Sequence, residues 1–141
     1  MVKILFLCHG NICRSPMAEY IMKDLAAKAG VRMEIASAAV SREEIGNPVY
    51  PPARRELSKH GISCEGHAAH QITRRELDYY DHIYYMDTSN QRYLRRLFGD
   101  DAAKCRSLLS RDVADPWYTG DFTATWNDIL EGCQRILEEC K

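Results

Sequence analysis

Apolar residues gather along this chain in short blocks of two kinds. Ile4-Leu5-Phe6-Leu7 is an unbroken run behind Lys3, the pattern of a strand buried on both faces, and Val2 to Leu7 is read as that strand. Met17, Ile21, Met22 and Leu25 recur at helical spacing instead, and predict a helix over Met17 to Ala29 that Gly30 ends. Ser15-Pro16 reads as its start, with Ser at the N-cap and Pro in the first helical position. Arg32 to Ala39 predicts a second strand. Ser41 to Pro52, with Gly46-Asn47-Pro48 and Pro51-Pro52, predicts a loop, and Ala53 to His60 a helix closed by Gly61. Ile62 to Gln71 is irregular. Thr73 with Glu76 forms a capping box for a short helix. His82 to Met86 reads as a third strand, Asp87 to Phe98 as a helix ending at Gly99, Lys104 to Leu109 as a short fourth strand, and Arg111 to Gly120 as a loop. Trp126, Ile129, Leu130, Cys133, Ile136 and Leu137 form the buried stripe of a last helix, Asp121 to Lys141, with Asp121 as its N-cap.

Strands alternating with helices predict an α/β fold. It is a single-domain, three-layer arrangement over residues 1–141, with a central four-stranded parallel sheet and helices on both faces. Ligands of such sheets bind at the carboxyl ends of the strands, where the strand order reverses. The segment that follows the first strand falls in that position.

Composition narrows the reading. The chain has 141 residues, 45% of them hydrophobic, which supplies one core. A formal net charge of −1 gives no general pull toward nucleic acid or anionic membrane, so neither is expected as a partner. No apolar run is long enough to span a bilayer, and the N-terminal run is too short for a secretory segment, so a cytoplasmic protein is expected. The six cysteines then read as free thiols rather than a disulfide framework. The question becomes which of them does chemistry.

Cys8-His9-Gly10-Asn11-Ile12-Cys13-Arg14 lies between the first strand and the first helix. Backbone N–H groups of a tight loop at a helix N-terminus converge on an anion, and the helix dipole adds to the attraction. Gly10 lets the backbone approach closely, and Asn11 tolerates left-handed dihedrals. Arg14 can add a bidentate contact to a phosphate. Cys8 suits a nucleophile in the same loop, because a helix N-terminus and a nearby Arg stabilise a thiolate. Ser15 can hydrogen-bond its sulfur. The Cys-x5-Arg spacing alone is weak, since Cys105 to Arg111 repeats it. That copy has no Gly and begins inside a predicted strand, so Cys105 is expected to be an inert buried hydrophobe.

The segment Leu7 to Pro16 resembles the signature of low-molecular-weight protein tyrosine phosphatases, and the resemblance extends over essentially the whole chain. Asp115-Pro116-Trp117-Tyr118 is similar to the family's general-acid loop. Ser37-Ala38-Ala39, Glu44-Ile45-Gly46-Asn47-Pro48, His67, Gln71 and Met86-Asp87-Thr88-Ser89-Asn90 also fall where the family has similar residues. The resemblance implies a phosphotyrosine-containing protein as substrate and a phosphocysteine intermediate on Cys8. Arg14 and the loop from His9 to Cys13 would bind the phosphate, and Asp115 would act as general acid and then base. It implies no metal and no cofactor. Asn11, Ser37 and His67, with Ser15, would support the loop. Ile12, Glu43, Trp117 and Tyr118 would line the substrate slot, although by themselves Trp117 and Tyr118 read equally well as core aromatics. Cys13 would form a reversible disulfide with Cys8, against the plainer reading of a thiol that only packs the loop.

Glu43 departs from the pattern, since many members carry an aromatic residue there. Tyr50 is a candidate to replace it. Three rivals are weighed against this reading. Thioredoxin-linked arsenate reduction needs two further cysteines near the third strand, and none lies between Cys64 and Cys105. Arginine phosphatases are similar but carry Thr at the position of Ile12. A zinc module could use Cys64, His67 and His70, but a fourth ligand at a usual spacing is lacking.

Overall fold

The computed structural model describes Met1–Lys141. Four strands, β1 (Val2–Cys8), β2 (Met33–Ala39), β3 (His82–Tyr85) and β4 (Cys105–Ser107), form one sheet in the order β2-β1-β3-β4. All three pairings are parallel, and β1 is in register with β2 from Val2 opposite Met33 to Cys8 opposite Ala39. Six helices connect and cover them: α1 (Arg14–Ala29), α2 (Pro51–Lys59), α3 (Arg74–Tyr79), α4 (Thr88–Phe98), α5 (Pro116–Thr119) and α6 (Phe122–Cys140). A 3₁₀ turn, Gly99–Lys104, precedes β4. No helix is long and apolar enough to cross a membrane.

The apolar run in β1 has a simple cause. Ile4 and Phe6 point into the core under α1, α2 and α6, while Leu5 and Leu7 point into the core under α3 and α4. Period-two alternation therefore buries every residue when both faces are covered. Each such side chain contributes roughly 1.5–3 kcal/mol on burial. The strand order reverses between β1 and β3, so the chain leaves β1 toward β2 on one side and β3 toward β4 on the other. The loops after β1 and β3 meet at that switch point.

Four expected boundaries shift, each for a local reason. Helix α1 begins at Arg14 with Cys13 at its N-cap, so Ser15 and Pro16 are its second and third residues rather than cap and first. Asn11, at φ 60°, turns the chain early enough for helical geometry to start there. Pro16 is tolerated because first-turn N–H groups have no intrahelical partner. Helix α2 takes Pro51 and Pro52 into its first turn for the same reason, instead of leaving them in a loop. Strand β4 is shorter than expected, because Leu108 and Leu109 leave the sheet for the core against α1 and α6. A short helix, α5, lies inside the expected loop. The Thr73–Glu76 capping box and the Asp121 N-cap stand as read. Of the α6 stripe, Trp126, Ile129, Cys133, Ile136 and Leu137 are buried, and Leu130 is half-buried against the same cluster.

Candidate active site

The segment after β1 wraps a cleft of about 320 Å³ lined by Cys8, His9, Gly10, Ile12, Cys13, Arg14, Glu43, Glu44, Asp115, Trp117 and Tyr118. Its floor is the N-terminus of α1. No side chain caps that helix, and no acidic residue lies in its first turn. The other helices differ: Thr73, Asp87, Asp115 and Asp121 cap α3, α4, α5 and α6, and α2 starts with two prolines, which have no N–H to satisfy. Helix α1 leaves its first amides, and the dipole behind them, to a guest in the cleft.

The sulfur of Cys8 sits against two groups. The Asn11 backbone N–H donates to Sγ at 3.3 Å, and Ser15 Oγ lies 3.1 Å away. The direction of the second contact follows from the network behind it. The backbone N–H of His70 can only donate, and it donates to Asn11 Oδ1 at 3.3 Å, so Asn11 Nδ2 faces the two serines. Nδ2 donates to Ser15 Oγ at 2.8 Å and to Ser37 Oγ at 2.9 Å. Ser37 Oγ in turn donates to Glu19 Oε1 at 2.6 Å, and Lys23 Nζ donates to Glu19 Oε2 at 2.6 Å. Ser15 is thereby an acceptor toward Asn11, and its single proton goes to the Cys8 sulfur or to Ala38 O at 3.4 Å. His67 Nε2 donates to Asn11 O at 2.8 Å, which fixes its tautomer. Every polar atom of Asn11 is thus used, and its left-handed backbone is held from three sides.

Arg14 crosses the cleft with its guanidinium 2% exposed. A buried cation is costly unless it is paired. Nη1 donates to Asp87 Oδ2 at 2.7 Å and to Val113 O at 2.8 Å, and Nη2 to Asp115 Oδ2 at 3.3 Å. Burial works against its charge, but Cys8, Asp115 and Asp87 outweigh it and raise its pKa, so Arg14 stays a cation. Asp115 also caps α5, accepting from Trp117 N–H at 3.0 Å. Burial, with Cys8 and Asp115 nearby, pushes the Cys13 thiol far above its ordinary range, so it stands as a neutral thiol on the cleft wall.

Apart from Tyr50, the structure brings together the residues expected at the site. Cys8, Arg14, Asp115, His9, Gly10, Ile12, Cys13, Glu43, Trp117 and Tyr118 line the cleft, and Asn11, Ser15, Ser37 and His67 stand behind it. Trp117 is 51% exposed and Tyr118 84%, which excludes the core reading of both. Tyr50 is a correction. It lies behind Trp117, ring centroids 4.8 Å apart, and does not line the cleft, because α2 starts immediately after it and turns it toward Phe122. Cys64, His67 and His70 do not converge, since His67 serves Asn11 and His70 pairs with Glu76, and no group of three or more His, Cys, Asp or Glu side chains is placed to hold a metal ion.

Three participants were not assigned a role from sequence. Asp87 anchors Arg14, Glu19 ends the Asn11–Ser37 chain, and Glu44 packs over Gly10, where a Cβ would meet its Cγ at 3.1 Å. Asp87 was findable, because it lies just past the third strand, beside the first, where the switch point must lie. Glu19 carried a weaker signal, a carboxylate on the apolar side of a helix.

Comparison with known proteins agrees with this geometry. The family model for low molecular weight phosphotyrosine protein phosphatase matches residues 3–141. The chain is 40% identical over 147 residues to low molecular weight protein-tyrosine-phosphatase YfkJ of Bacillus subtilis, covering 97% of this chain and 94% of that one. The crystal structure of YfkJ superposes with a TM-score of 0.94, at 39% identity over 99% of this chain and 94% of that chain. That of SP-PTP from Streptococcus pyogenes gives 0.92, at 35% identity over 100% of this chain and 94% of that one. A Drosophila arginine phosphatase gives 0.89, at 30% identity over 99% of this chain and 98% of that one. With a cysteine under an uncapped helix start, a buried arginine over it and a match along almost its full length, this chain belongs to the low molecular weight phosphotyrosine protein phosphatase family.

Proposed function

We propose that this protein hydrolyses phosphotyrosine monoesters in proteins through a phosphocysteine on Cys8. The observation that carries the reading is the uncapped start of α1 beneath a cysteine and a buried arginine. A phosphate dianion meets the loop amides, and Arg14 Nη2 turns from Asp115 to a phosphate oxygen. Cys8 Sγ, as thiolate, attacks phosphorus while the bond to the phenolic oxygen breaks. Asp115, released from Arg14 and protonated, gives its proton to the departing oxygen. The product is tyrosine and an S-phosphocysteine. Asp115 then takes a proton from water, whose oxygen attacks phosphorus and returns the Cys8 thiolate, with Ser15 donating to the sulfur as it leaves.

Specificity for an aromatic group is supported by the walls. Ile12 presents an apolar wall and Trp117 a flat aromatic face for the ring, and Tyr118 stands beside them. Ile12 also argues against phosphoarginine, whose guanidinium needs polar partners where this side chain offers none. Glu43 and Glu44 make one side of the mouth anionic, which disfavours acidic residues there. Cys13 serves as resolving thiol: after a peroxide converts Cys8 to the sulfenic acid, the Cys13 sulfur attacks that sulfur as its proton passes to the departing hydroxide, releasing water and giving a disulfide that a dithiol reduces. Dithiothreitol should restore peroxide-treated enzyme, and equal recovery by Cys13→Ser would sink this role.

The deciding experiment compares turnover of phosphotyrosine, phosphoserine, phosphoarginine and arsenate, with Cys8→Ser as control. Phosphotyrosine should lead, and Cys8→Ser should abolish it. Phosphotyrosine turnover that persists in Cys8→Ser would refute the mechanism.

A further inference from the structure

A line of contacts that starts at the cleft wall and runs outward past it carries opposite charges at its two ends. Glu43, 64% exposed, accepts from His9 Nε2 at 2.7 Å. The His9 ring meets the edge of Tyr93 with centroids 5.3 Å apart, and the Arg96 guanidinium lies 5.0 Å over the Tyr93 ring. The rim thus runs from carboxylate through imidazole and phenol to guanidinium, from the loop after β2 to α4. Arg92 lies one turn before Arg96 on the same helix face. Both arginines are exposed and neither joins an ion pair, whereas Arg74 and Arg111 do. At the other end Glu44 is tied down by Asn47 Nδ2 at 2.5 Å, so the anionic end is fixed in place.

We propose that this rim reads charge on both sides of the phosphorylated residue. Arg92 and Arg96 take acidic side chains of the substrate chain, and Glu43 with Glu44 takes basic ones. A substrate with an acidic flank on one side and a basic flank on the other is then preferred in one chain direction. His9, held between Glu43 and Tyr93, keeps the two ends in register. An extended peptide advances about 3.3–3.6 Å per residue, so a substrate chain that leaves the cleft past His9 comes to Tyr93 and Arg96 within a few residues of the phosphotyrosine. Exposed ion pairs of this kind are individually weak, so two or three of them should separate the two charge orders about three- to tenfold in kcat/KM. The proposal rests on the phosphotyrosine reading of the cleft.

The test uses two phosphotyrosine peptides of equal composition. One carries aspartates before the phosphotyrosine and lysines after it, the other the reverse, and p-nitrophenyl phosphate is measured beside them. One order should be favoured about three- to tenfold at low salt, and the preference should fade in about 0.5 M NaCl. R92Q/R96Q should shrink the preference while turning over p-nitrophenyl phosphate, which does not reach α4, at the wild-type rate. Equal turnover of the two orders, or a preference that R92Q/R96Q leaves intact, overturns the proposal. Failure of the wild type to hydrolyse p-nitrophenyl phosphate overturns the phosphatase reading instead.

Discussion

Two segments of this chain share a spacing and nothing else. Cys8 to Arg14 follows the central strand β1, and Cys105 to Arg111 begins on the edge strand β4. In the first, Asn11 takes a left-handed turn and the chain enters a helix whose amides no side chain claims. In the second, Leu108 and Leu109 dive into the core and no helix start faces Cys105. The sulfur of Cys8 is met by an N–H and a hydroxyl. Burial pushes the Cys105 thiol up to about 11, against a small opposing pull from Lys104, which keeps it an uncharged packing group. Arg14 is buried and aimed across the cleft by Asp87 and Val113, whereas Arg111 lies on the surface with Asp128 and Glu131. A cysteine and an arginine at a given separation become a site only where topology brings other loops to them.

The strongest break of this comparison is at the sulfurs. Cys8→Ser should lower kcat/KM on phosphotyrosine about 10⁴-fold or more, because the hydroxyl is a far weaker nucleophile in the same place. Cys105→Ser should leave kcat/KM within about twofold and cost about 1–3 kcal/mol of stability for an ill-matched buried hydroxyl. Equal losses of turnover in the two variants would mean that the two cysteines do not differ in role.

The arginines come next. Arg14→Lys replaces a planar fork with a point charge and strands Asp87 and Asp115, so kcat should fall about 10²–10³-fold. Arg111→Lys should leave kcat unchanged, since exposed pairs contribute little. A readout of kcat and KM separately decides the matter: a loss in Arg14→Lys confined to KM would mean the guanidinium only binds the phosphate.

Much of this contrast was legible in the residues. The apolar run of β1, Gly10 and Asn11 marked the first segment, and the absence of any glycine marked the second as inert. The alternation of elements gave the sheet, because period-two and 3.6-residue patterns are local properties. Boundaries that depend on the tertiary setting were not legible. Ser15 looks like a cap, yet its hydroxyl turns inward because Asn11 and Cys8 need it. Pro51-Pro52 looks like a loop and begins a helix. Asp87 and Glu19 matter through residues 73 and 18 positions away, and a single chain shows no trace of such pairings.

The scaffolding role of the second segment can itself be tested. Gly132 of α6 lies so close to Leu108 that a Cβ would fall 2.5 Å from its Cγ, a branch point rather than a flexible tip. Gly→Ala inside an exposed helix usually stabilises by up to about 1 kcal/mol. Here Gly132→Ala should destabilise by about 1–3 kcal/mol through overpacking. Denaturant unfolding would show it, with kcat unaltered in the folded enzyme. A stabilised variant would mean that Leu108 moves aside freely and that the second segment is not a rigid packing element.

The smallest effect separates the wall of the first segment from its chemistry. His70 Nε2 pairs with Glu76 Oε2 at 2.8 Å, on a half-exposed surface beside the backbone N–H that holds Asn11. The hydrogen bond that His70 donates to Glu76 raises the His70 pKa above its ordinary 6.5, against partial burial. Glu76 is lowered below 4.5, its burial outweighed by His70 and Thr73. A raised histidine contributes stability that is complete below pH 6.5 and lost as pH rises through its folded value. A lowered carboxylate contributes stability present above pH 4.5 and lost as pH falls through its folded value. The pair therefore stabilises between about pH 4.5 and 6.5 and fades on both sides. His70→Gln should lower Tm by about 1–4 °C near pH 6 and by nothing measurable near pH 9. The backbone bond to Asn11 survives that substitution, so kcat at pH 6 should hold. A Tm deficit independent of pH would show that His70 contributes packing rather than charge, and a fall in kcat would place it among the groups that set the Cys8 loop.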